Sequence, residues 1–152
     1  MCFGSLGKLF GVSKPPHPSD WVRAGAMEYD SATGILIIDF WKGLNVSLDE
    51  PPNMWIPEIP DTGSMLPVFG KGNNNLLLSG KNPSDHQKLI DFAKEGDIAV
   101  YRTAKFYAIH RIKRIAFGVI KKYIFRGDNN GVDDPDAALP EEIQYVAVGM
   151  IP

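Results

Sequence analysis

Three segments of the 152-residue chain carry residue types that could together perform acyl transfer. Ser64 follows a glycine, His110 lies within an apolar run, and the turn-forming segment 127–134 contains three aspartates. A serine hydroxyl is a weak nucleophile unless a base removes its proton, and a neutral imidazole can do so near neutral pH. A carboxylate bonded to the second ring nitrogen would orient the imidazole and stabilise its charged form. These residue types are therefore those of a serine hydrolase.

Each segment also has an ordinary structural explanation. A serine after glycine is common in turns, and a histidine within a strand can simply bond to backbone groups. The segment 127–134 could form Asx turns or a weak calcium loop, although no glutamate closes a twelve-residue loop as in an EF-hand. His17 lies in a proline-rich segment and His86 near a predicted helix start, so both are expected to be exposed to solvent. His110 is therefore the predicted base.

The elements that must position these residues are predicted to be mostly strands. Twelve prolines and 15 glycines imply many turns and few long helices. Apolar, β-branched and aromatic runs predict strands over residues 26–30, 35–41, 44–48, 97–101, 106–115, 119–126 and 143–151. The chain is therefore predicted to be all-β, with His110 in a strand.

Two segments between these strands carry separate expectations. Residues 70–83 are rich in glycine and asparagine around the apolar residues 76–78, which favours a loop or hairpin rather than core. Ser84 is predicted to cap a short helix that runs to about Lys94, because its side chain can accept a hydrogen bond from the first free amides.

Composition and charge exclude several classes of function. A net charge of -2 and a pI of about 5.9 give no field that would gather polyanions, so no nucleic acid is expected. The single cysteine, Cys2, allows no internal disulfide and no thiolate metal cluster, and no metal or organic cofactor is expected. No stretch approaches the ~18 to 20 apolar residues of a transmembrane segment. We therefore expect a soluble protein of the cytoplasm or of a particle, rather than a secreted one.

The order of four motifs resembles the signal peptidase I family, in its archaeal and endoplasmic-reticulum branch. The motifs are Gly63-Ser64-Met65, Gly96-Asp97, Ile109-His110-Arg111, and the segment 127–134 that begins Gly-Asp-Asn-Asn and ends Asp-Asp. The resemblance covers roughly residues 57–152. It implies a fold of the type shared by signal peptidases and SOS-repressor peptidase domains, with coiled antiparallel sheets and one short inserted helix. Histidine at the position of the base resembles this branch, whereas bacterial members use a Ser-Lys dyad.

The resemblance also implies catalytic roles. Ser64 would be the nucleophile and His110 the general base. Asp134 would orient the imidazole, with Asp128 holding the loop or assisting. Asp133 is the remaining alternative, and the sequence alone does not rank the three aspartates.

An extended segment before the nucleophile is expected to bind substrate. Residues 49–60 contain four prolines, which restricts them to an edge strand or extended chain. A polypeptide substrate could add there as a strand, with ordinary core packing as the alternative for the apolar side chains. The Ser64 backbone N–H is a candidate oxyanion-hole donor, and the Thr62 hydroxyl resembles the side-chain donor that some signal peptidases place there. The candidate substrate-binding residues are Trp55, Ile56, Ile59 and Met65.

The chain departs from the family in ways that affect the domain prediction. Family members usually carry a hydrophobic N-terminal helix as a membrane anchor, and none is found here. Residues 68–95 replace a short connection and could be a lid, a partner site or a structural addition. We expect an N-terminal tip and proline-rich linker at 1–20, one β domain at 21–152, and partner contacts through 1–12 or 68–95.

These observations lead to one functional hypothesis and one alternative. The hypothesis is a serine endopeptidase that processes a protein precursor through an acyl-enzyme. The alternative is a non-catalytic structural or binding module on the same fold, for example a component of a virus particle or another large assembly. The substrate and the oligomeric state stay open.

Overall fold

The computed structural model describes residues 27–38, 46–58 and 60–151. The predicted N-terminal tip, the proline-rich linker and the contact segment 1–12 lie outside these residues, as does the substrate-binding candidate Ile59. The domain boundary expected near residue 21 therefore stays a prediction.

Strands account for most of the regular secondary structure in the described residues. The strands are β1 (Met27–Asp30), β2 (Ile35–Ile38), β3 (Asn53–Trp55), β4 (Asn74–Ser79), β5 (Ile98–Arg102), β6 (Tyr107–Ala116), β7 (Lys122–Arg126) and β8 (Ile143–Ile151). Helix α1 (Pro83–Phe92) follows β4, and a 3-10 turn (Pro140–Glu142) precedes β8. The predicted all-β peptidase fold with one short helix is confirmed.

The strands assemble into two antiparallel sheets. β1 and β2 form a hairpin, and the other six strands form one sheet in the order β3-β4-β8-β5-β6-β7. Within this sheet β6 pairs with β5 from its first residue, whereas its pairing with β7 begins only at Arg111. The described residues therefore flank positions 107–110 of β6 with a strand on one side and leave the other side open.

Strand β4 corrects the expectation that residues 70–83 form a loop or hairpin outside the core. β4 lies between β3 and β8, and residues 76–78 are all buried. Leu76 and Leu78 belong to the core cluster that includes Leu89 and Ile90 of α1, whereas Leu77 packs in a second cluster on the opposite face. The sequence of a strand that is covered on both faces is a continuous apolar run. It therefore lacks the alternation of apolar and polar residues that marks a half-exposed strand.

Helix α1 begins earlier than expected. Asn82 is its N-cap and accepts a hydrogen bond from the Asp85 N–H at 2.8 Å, while Pro83 occupies the first turn. Proline suits this position because its missing donor would have no partner there. Ser84 is thus the second helical residue rather than the cap, and the helix ends at Phe92.

Two further expectations are corrected around α1. Residues 46–48 of the predicted strand 44–48 form no strand, although Leu48 is buried in the core. His86 is not fully exposed: its Nδ1 accepts from the Gly80 N–H at 3.3 Å, and its Nε2 lies 2.9 Å from the Ile143 carbonyl oxygen. His86 thereby joins the helix to the start of β8.

The described part of the chain contains no helix with the length and apolar character needed to cross a membrane. The same residues contain no group of three or more histidine, cysteine or acidic side chains arranged to hold a metal ion.

Candidate active site

Ser64 lies in a tight turn that is anchored on the face of the sheet opposite α1. Gly63 has a φ of 68°, a left-handed conformation that favours glycine, and its carbonyl oxygen accepts from the Leu66 N–H at 3.2 Å. Met65 and Phe69 are almost fully buried in the second core cluster. These apolar anchors fix the turn while the serine side chain stays partly exposed.

The structure brings together three of the predicted catalytic residues. The Ser64 Oγ lies 3.1 Å from the His110 Nε2, and the His110 Nδ1 lies 2.6 Å from the Asp134 Oδ2. The side chains of His110 and Asp134 are only 14% and 12% exposed. A serine, an imidazole and a carboxylate are thus linked in series in a mostly desolvated setting.

Secondary structure explains why Asp134 reaches the imidazole. His110 is fixed by its pairing with Ala99 across β5 and β6. The chain after β7 turns back along that strand, and the Asp134 N–H donates to the Phe125 carbonyl oxygen at 2.8 Å. The carboxylate also accepts from the Tyr101 hydroxyl at 2.6 Å.

The other two candidate aspartates do not contact the imidazole. Asp128 forms a bidentate pair with Arg111, at 2.7 Å from its Nε and 2.6 Å from its Nη2. The same guanidinium donates to the Gly96 carbonyl oxygen at 2.6 Å, so it connects the loop that follows β7 to the residues just before β5. Asp133 is exposed, with its Oδ1 3.7 Å from the Arg126 guanidinium.

Asn129 is a site residue to which sequence reasoning assigned no role. Its backbone N–H donates to the Ser64 carbonyl oxygen at 2.8 Å, and its side-chain amide donates to the Gly63 carbonyl oxygen at 3.1 Å. Gly127 packs so closely against the Ser64 backbone that an added Cβ would lie 2.6 Å from the Ser64 carbonyl oxygen. The Gly-Asp-Asn-Asn motif was visible in the sequence, but its contact with the serine turn depends on long-range folding.

The predicted oxyanion donors lie next to the serine hydroxyl. The Thr62 Oγ1 is 3.3 Å from the Ser64 Oγ, and Thr62 is exposed. The Ser64 backbone N–H thus has no acceptor among the described residues, whereas the Thr62 hydroxyl shares a hydrogen bond with the Ser64 Oγ.

The predicted substrate-binding residues divide into three groups. Met65 lines a cavity of about 290 Å³ that also contains Ser64 and His110. Trp55 lines a neighbouring cavity of about 440 Å³, where its ring packs against Tyr145 with centroids 5.3 Å apart. Ile56 is exposed and lines neither cavity, and Ile59 lies outside the described residues.

Comparison with curated proteins finds catalytic subunits of signal peptidase complexes. The chain is 32% identical over 122 residues to "Signal peptidase complex catalytic subunit sec11" of Sclerotinia sclerotiorum, covering 74% of this chain and 65% of the relative. It is 31% identical over 99 residues to the SEC11 subunit of Pyricularia oryzae and 32% identical to that of Metarhizium acridum, covering 63% of this chain and 52% of each relative. The chain thus spans between half and two thirds of their length.

These relatives confirm the resemblance to a signal peptidase I-like family. No family model matches the chain, and no solved structure matches it.

The expectation of a cytoplasmic or particle-bound protein is wrong. The relatives are named as subunits of a signal peptidase complex, and the motifs resemble the endoplasmic-reticulum branch of the family. The expectation rested on the lack of a long apolar stretch in this sequence, an observation that does not by itself decide where a protein is located.

Proposed function

Starting from the similarity of this chain to catalytic subunits of signal peptidase complexes, we propose that it is a serine endopeptidase that processes precursor polypeptides. The observation that carries the proposal is the series Ser64 Oγ, His110 Nε2 and Nδ1, and Asp134 Oδ2, with separations of 3.1 and 2.6 Å. Both distances lie within or close to hydrogen-bond reach, which general base catalysis requires.

The proposed reaction follows from the protonation state that this geometry favours. The Asp134 carboxylate accepts from Nδ1–H, which leaves the lone pair of Nε2 directed at the Ser64 hydroxyl. His110 takes the hydroxyl proton as the Ser64 Oγ attacks the scissile carbonyl carbon. It then donates that proton to the leaving amine as the C–N bond breaks. A water molecule, deprotonated by His110, then attacks the acyl carbon, the ester C–O bond breaks, and His110 returns the proton to the Ser64 Oγ.

Two donors are proposed to stabilise the oxyanion of the tetrahedral intermediate. The Ser64 backbone N–H takes no acceptor among the described residues, and the Thr62 hydroxyl lies 3.3 Å from the Ser64 Oγ. Each donor of this kind typically contributes about 3 kcal/mol to stabilisation of the transition state.

The substrate is proposed to bind as an extended chain along the open stretch of β6. Positions 107–110 pair with β5 on one side, and the described residues leave the other side open as far as Arg111. This stretch ends at His110, and it borders both the cavity beside Ser64 and the cavity beside Trp55. An added strand would therefore reach the nucleophile with alternate side chains directed into the cavities.

Protein partners are also proposed, because the relatives are named as subunits of a complex. The contact segments predicted from the sequence, 1–12 and 68–95, stay predictions. Part of the second segment, strand β4, is internal to the sheet, so partner contacts there would use its exposed residues.

The proposal is tested by peptide cleavage and by trapping the nucleophile. The chain is incubated with peptides that span the cleavage region of secretory precursors, and products are identified by mass spectrometry. We expect cleavage, covalent labelling of Ser64 by a fluorophosphonate, and loss of both in Ser64→Ala. The matched control Ser84→Ala, an exposed serine at the start of α1, should behave as the unmodified protein.

Two results would reject the peptidase. Cleavage that persists at the same rate in Ser64→Ala would assign the activity to another group or to a contaminant. A folded chain that neither cleaves nor reacts with the probe would favour the alternative of a non-catalytic structural or binding module on the same fold.

A further inference from the structure

Tyr101 in β5 contacts the same carboxylate oxygen as the imidazole. Its hydroxyl donates to the Asp134 Oδ2 at 2.6 Å, and the His110 Nδ1 lies 2.6 Å from that oxygen. Tyr101 is only 3% exposed, and the Asp134 side chain is 12% exposed. One carboxylate oxygen therefore has two short hydrogen bonds, of which only one serves the predicted base.

The tyrosine ring is held rigidly on the sheet. It stacks on Phe125 with ring centroids 4.1 Å apart and an interplanar angle of 9°. Its centroid lies 6.5 Å from that of the His110 imidazole. The backbone of Phe125 also binds Asp134, through the 2.8 Å bond from the Asp134 N–H. Ring, carboxylate and imidazole are thus fixed relative to one another by β5, β6 and β7.

We propose that Tyr101 is a positioning residue that sets how much of the negative charge of Asp134 is available to His110. This inference rests on the proposed peptidase function. A hydrogen bond from a hydroxyl stabilises a carboxylate and draws charge away from its other partner. With Tyr101 in place, Asp134 is a weaker stabiliser of the imidazolium than an isolated carboxylate. The hydroxyl also prevents the carboxylate from rotating away from Nδ1.

The tyrosine keeps its proton and remains a donor across the working range of pH. Burial raises the pKa of the Tyr101 hydroxyl, and the hydrogen bond to Asp134 and the charges of Asp134 and Asp136 raise it further. Tyr101, His110 and Asp134 line a cavity of about 800 Å³. Four other charged side chains line the same cavity: Arg102, Lys105, Asp136 and Glu142. On the other side, Arg111 and Asp128 are paired with each other. A change confined to the tyrosine hydroxyl leaves all of these charges in place.

The experiment compares Tyr101→Phe with Tyr123→Phe. Tyr123 is the matched control because it is also a buried strand tyrosine, and its hydroxyl donates to the Ile90 carbonyl oxygen at 2.9 Å. Each variant loses one buried hydroxyl and keeps its ring. The readout is NMR of the His110 ring: the resonance of the proton on Nδ1 and the titration of the ring carbons. The measurement is made in a Ser64→Ala background, so that it does not depend on activity.

We expect Tyr101→Phe to shift the Nδ1–H resonance downfield and to move the titration midpoint of the ring to higher pH. Tyr123→Phe should change neither signal, although it should lower stability to a similar extent. In the active chain, the acid limb of the kcat/KM profile for peptide cleavage should move to higher pH in Tyr101→Phe alone.

A second variant keeps the test decisive if the first one unfolds. Incorporation of 3-fluorotyrosine at position 101 retains the hydrogen bond but makes the hydroxyl a stronger donor, so the midpoint should move to lower pH. Unchanged ring signals in both Tyr101 variants would overturn the proposal and leave the residue a structural role only. Shifted ring signals in a chain that cleaves no peptide would uphold the positioning role and reject the proposed function.

Discussion

At the scale of single residues, the path of the chain after β7 decides which carboxylate serves the imidazole. Asp133 and Asp134 are adjacent, yet only Asp134 lies 2.6 Å from Nδ1, because its N–H is bonded to the Phe125 carbonyl oxygen. Residue type alone cannot distinguish the two, since both are acidic residues in a turn. The order of the motifs therefore selected Ser64 and His110, whereas only the resemblance to the family favoured Asp134 over Asp128 and Asp133.

The first prediction concerns this selection. Asp134→Asn removes the charge that stabilises the imidazolium and allows the amide to impose the wrong tautomer, so kcat should fall by about 10⁴-fold. The control Asp133→Asn changes an exposed side chain whose nearest cation is 3.7 Å away, and it should alter kcat little. Steady-state cleavage of one peptide by both variants is the measurement. Equal losses in the two variants would contradict the assignment.

A second prediction concerns the oxyanion. Thr62→Val removes the side-chain donor and keeps the shape, so kcat should fall by about 10²-fold with little change in KM. Thr62→Ser retains a hydroxyl at the same position and should recover most of the rate. If the valine variant cleaves at the original rate, the oxyanion is stabilised without the Thr62 hydroxyl.

At the scale of elements, the loop after β7 and the serine turn form one unit. Asn129 bonds to the carbonyl oxygens of Gly63 and Ser64, and Gly127 leaves no room for a side chain against the Ser64 carbonyl. The Arg111–Asp128 pair fixes the same loop to β6. A sequence motif can mark such a loop, but the element that it contacts lies more than sixty residues earlier in the chain.

The third prediction tests this clamp. In Gly127→Ala the new Cβ would lie 2.6 Å from the Ser64 carbonyl oxygen, so the serine turn must shift and cleavage should fall by at least about tenfold. Gly131→Ala is the control, because nothing lies within 4 Å of its added Cβ. Cleavage rates are compared at a temperature where circular dichroism finds both variants folded. An unimpaired Gly127→Ala would show that the serine turn tolerates displacement.

Helix α1 has its own electrostatic anchor. The buried Asp85 carboxylate accepts from the backbone N–H groups of Asp49 and Glu50 at 2.9 and 3.0 Å and from the Lys88 ammonium at 2.9 Å. Burial raises the pKa of Asp85, but these hydrogen bonds outweigh it and lower the pKa to about 2. The carboxylate thus holds the chain before β3 against the helix.

The fourth prediction follows from the sign of this shift. Because the pKa of Asp85 is depressed in the folded state, its contribution to stability is fully present above the ordinary value of 3.8 and is lost as the pH falls towards about 2. Asp85→Asn should lower the urea midpoint at pH 7 and reduce the loss of stability between pH 4 and pH 2. Asp91→Asn, in which the altered side chain is 58% exposed, is the control. Identical acid profiles for the two variants would contradict this account.

At the scale of the whole molecule, the six-stranded sheet separates two hydrophobic cores that support different parts of the structure. One face packs against α1, and the other supports the serine turn through Met65 and Phe69. The sequence predicts most strands of this sheet, but it predicts a loop or hairpin at β4, whose side chains pack into both cores. Residues 76–78 are buried on both sides and carry no alternation, and the flanking asparagines and glycines resemble a loop. Only the pairing of β4 with β3 and β8 identifies it as an internal strand.

The last prediction uses neighbouring residues of β4 to separate the two cores. Leu77 and Leu78 are both buried, but Leu77 packs with Met65 and Phe69, whereas Leu78 packs with Leu89 and Ile90. Replacing either by alanine should lower the free energy of unfolding by about 2 to 5 kcal/mol. Leu77→Ala should also lower kcat/KM for peptide cleavage several-fold more than Leu78→Ala, measured where both variants remain folded. The reason is that its cavity opens beneath the serine turn, whose position sets the distance from Ser64 to His110. Equal losses of activity would mean that the sheet transmits packing defects to the site from either face alike.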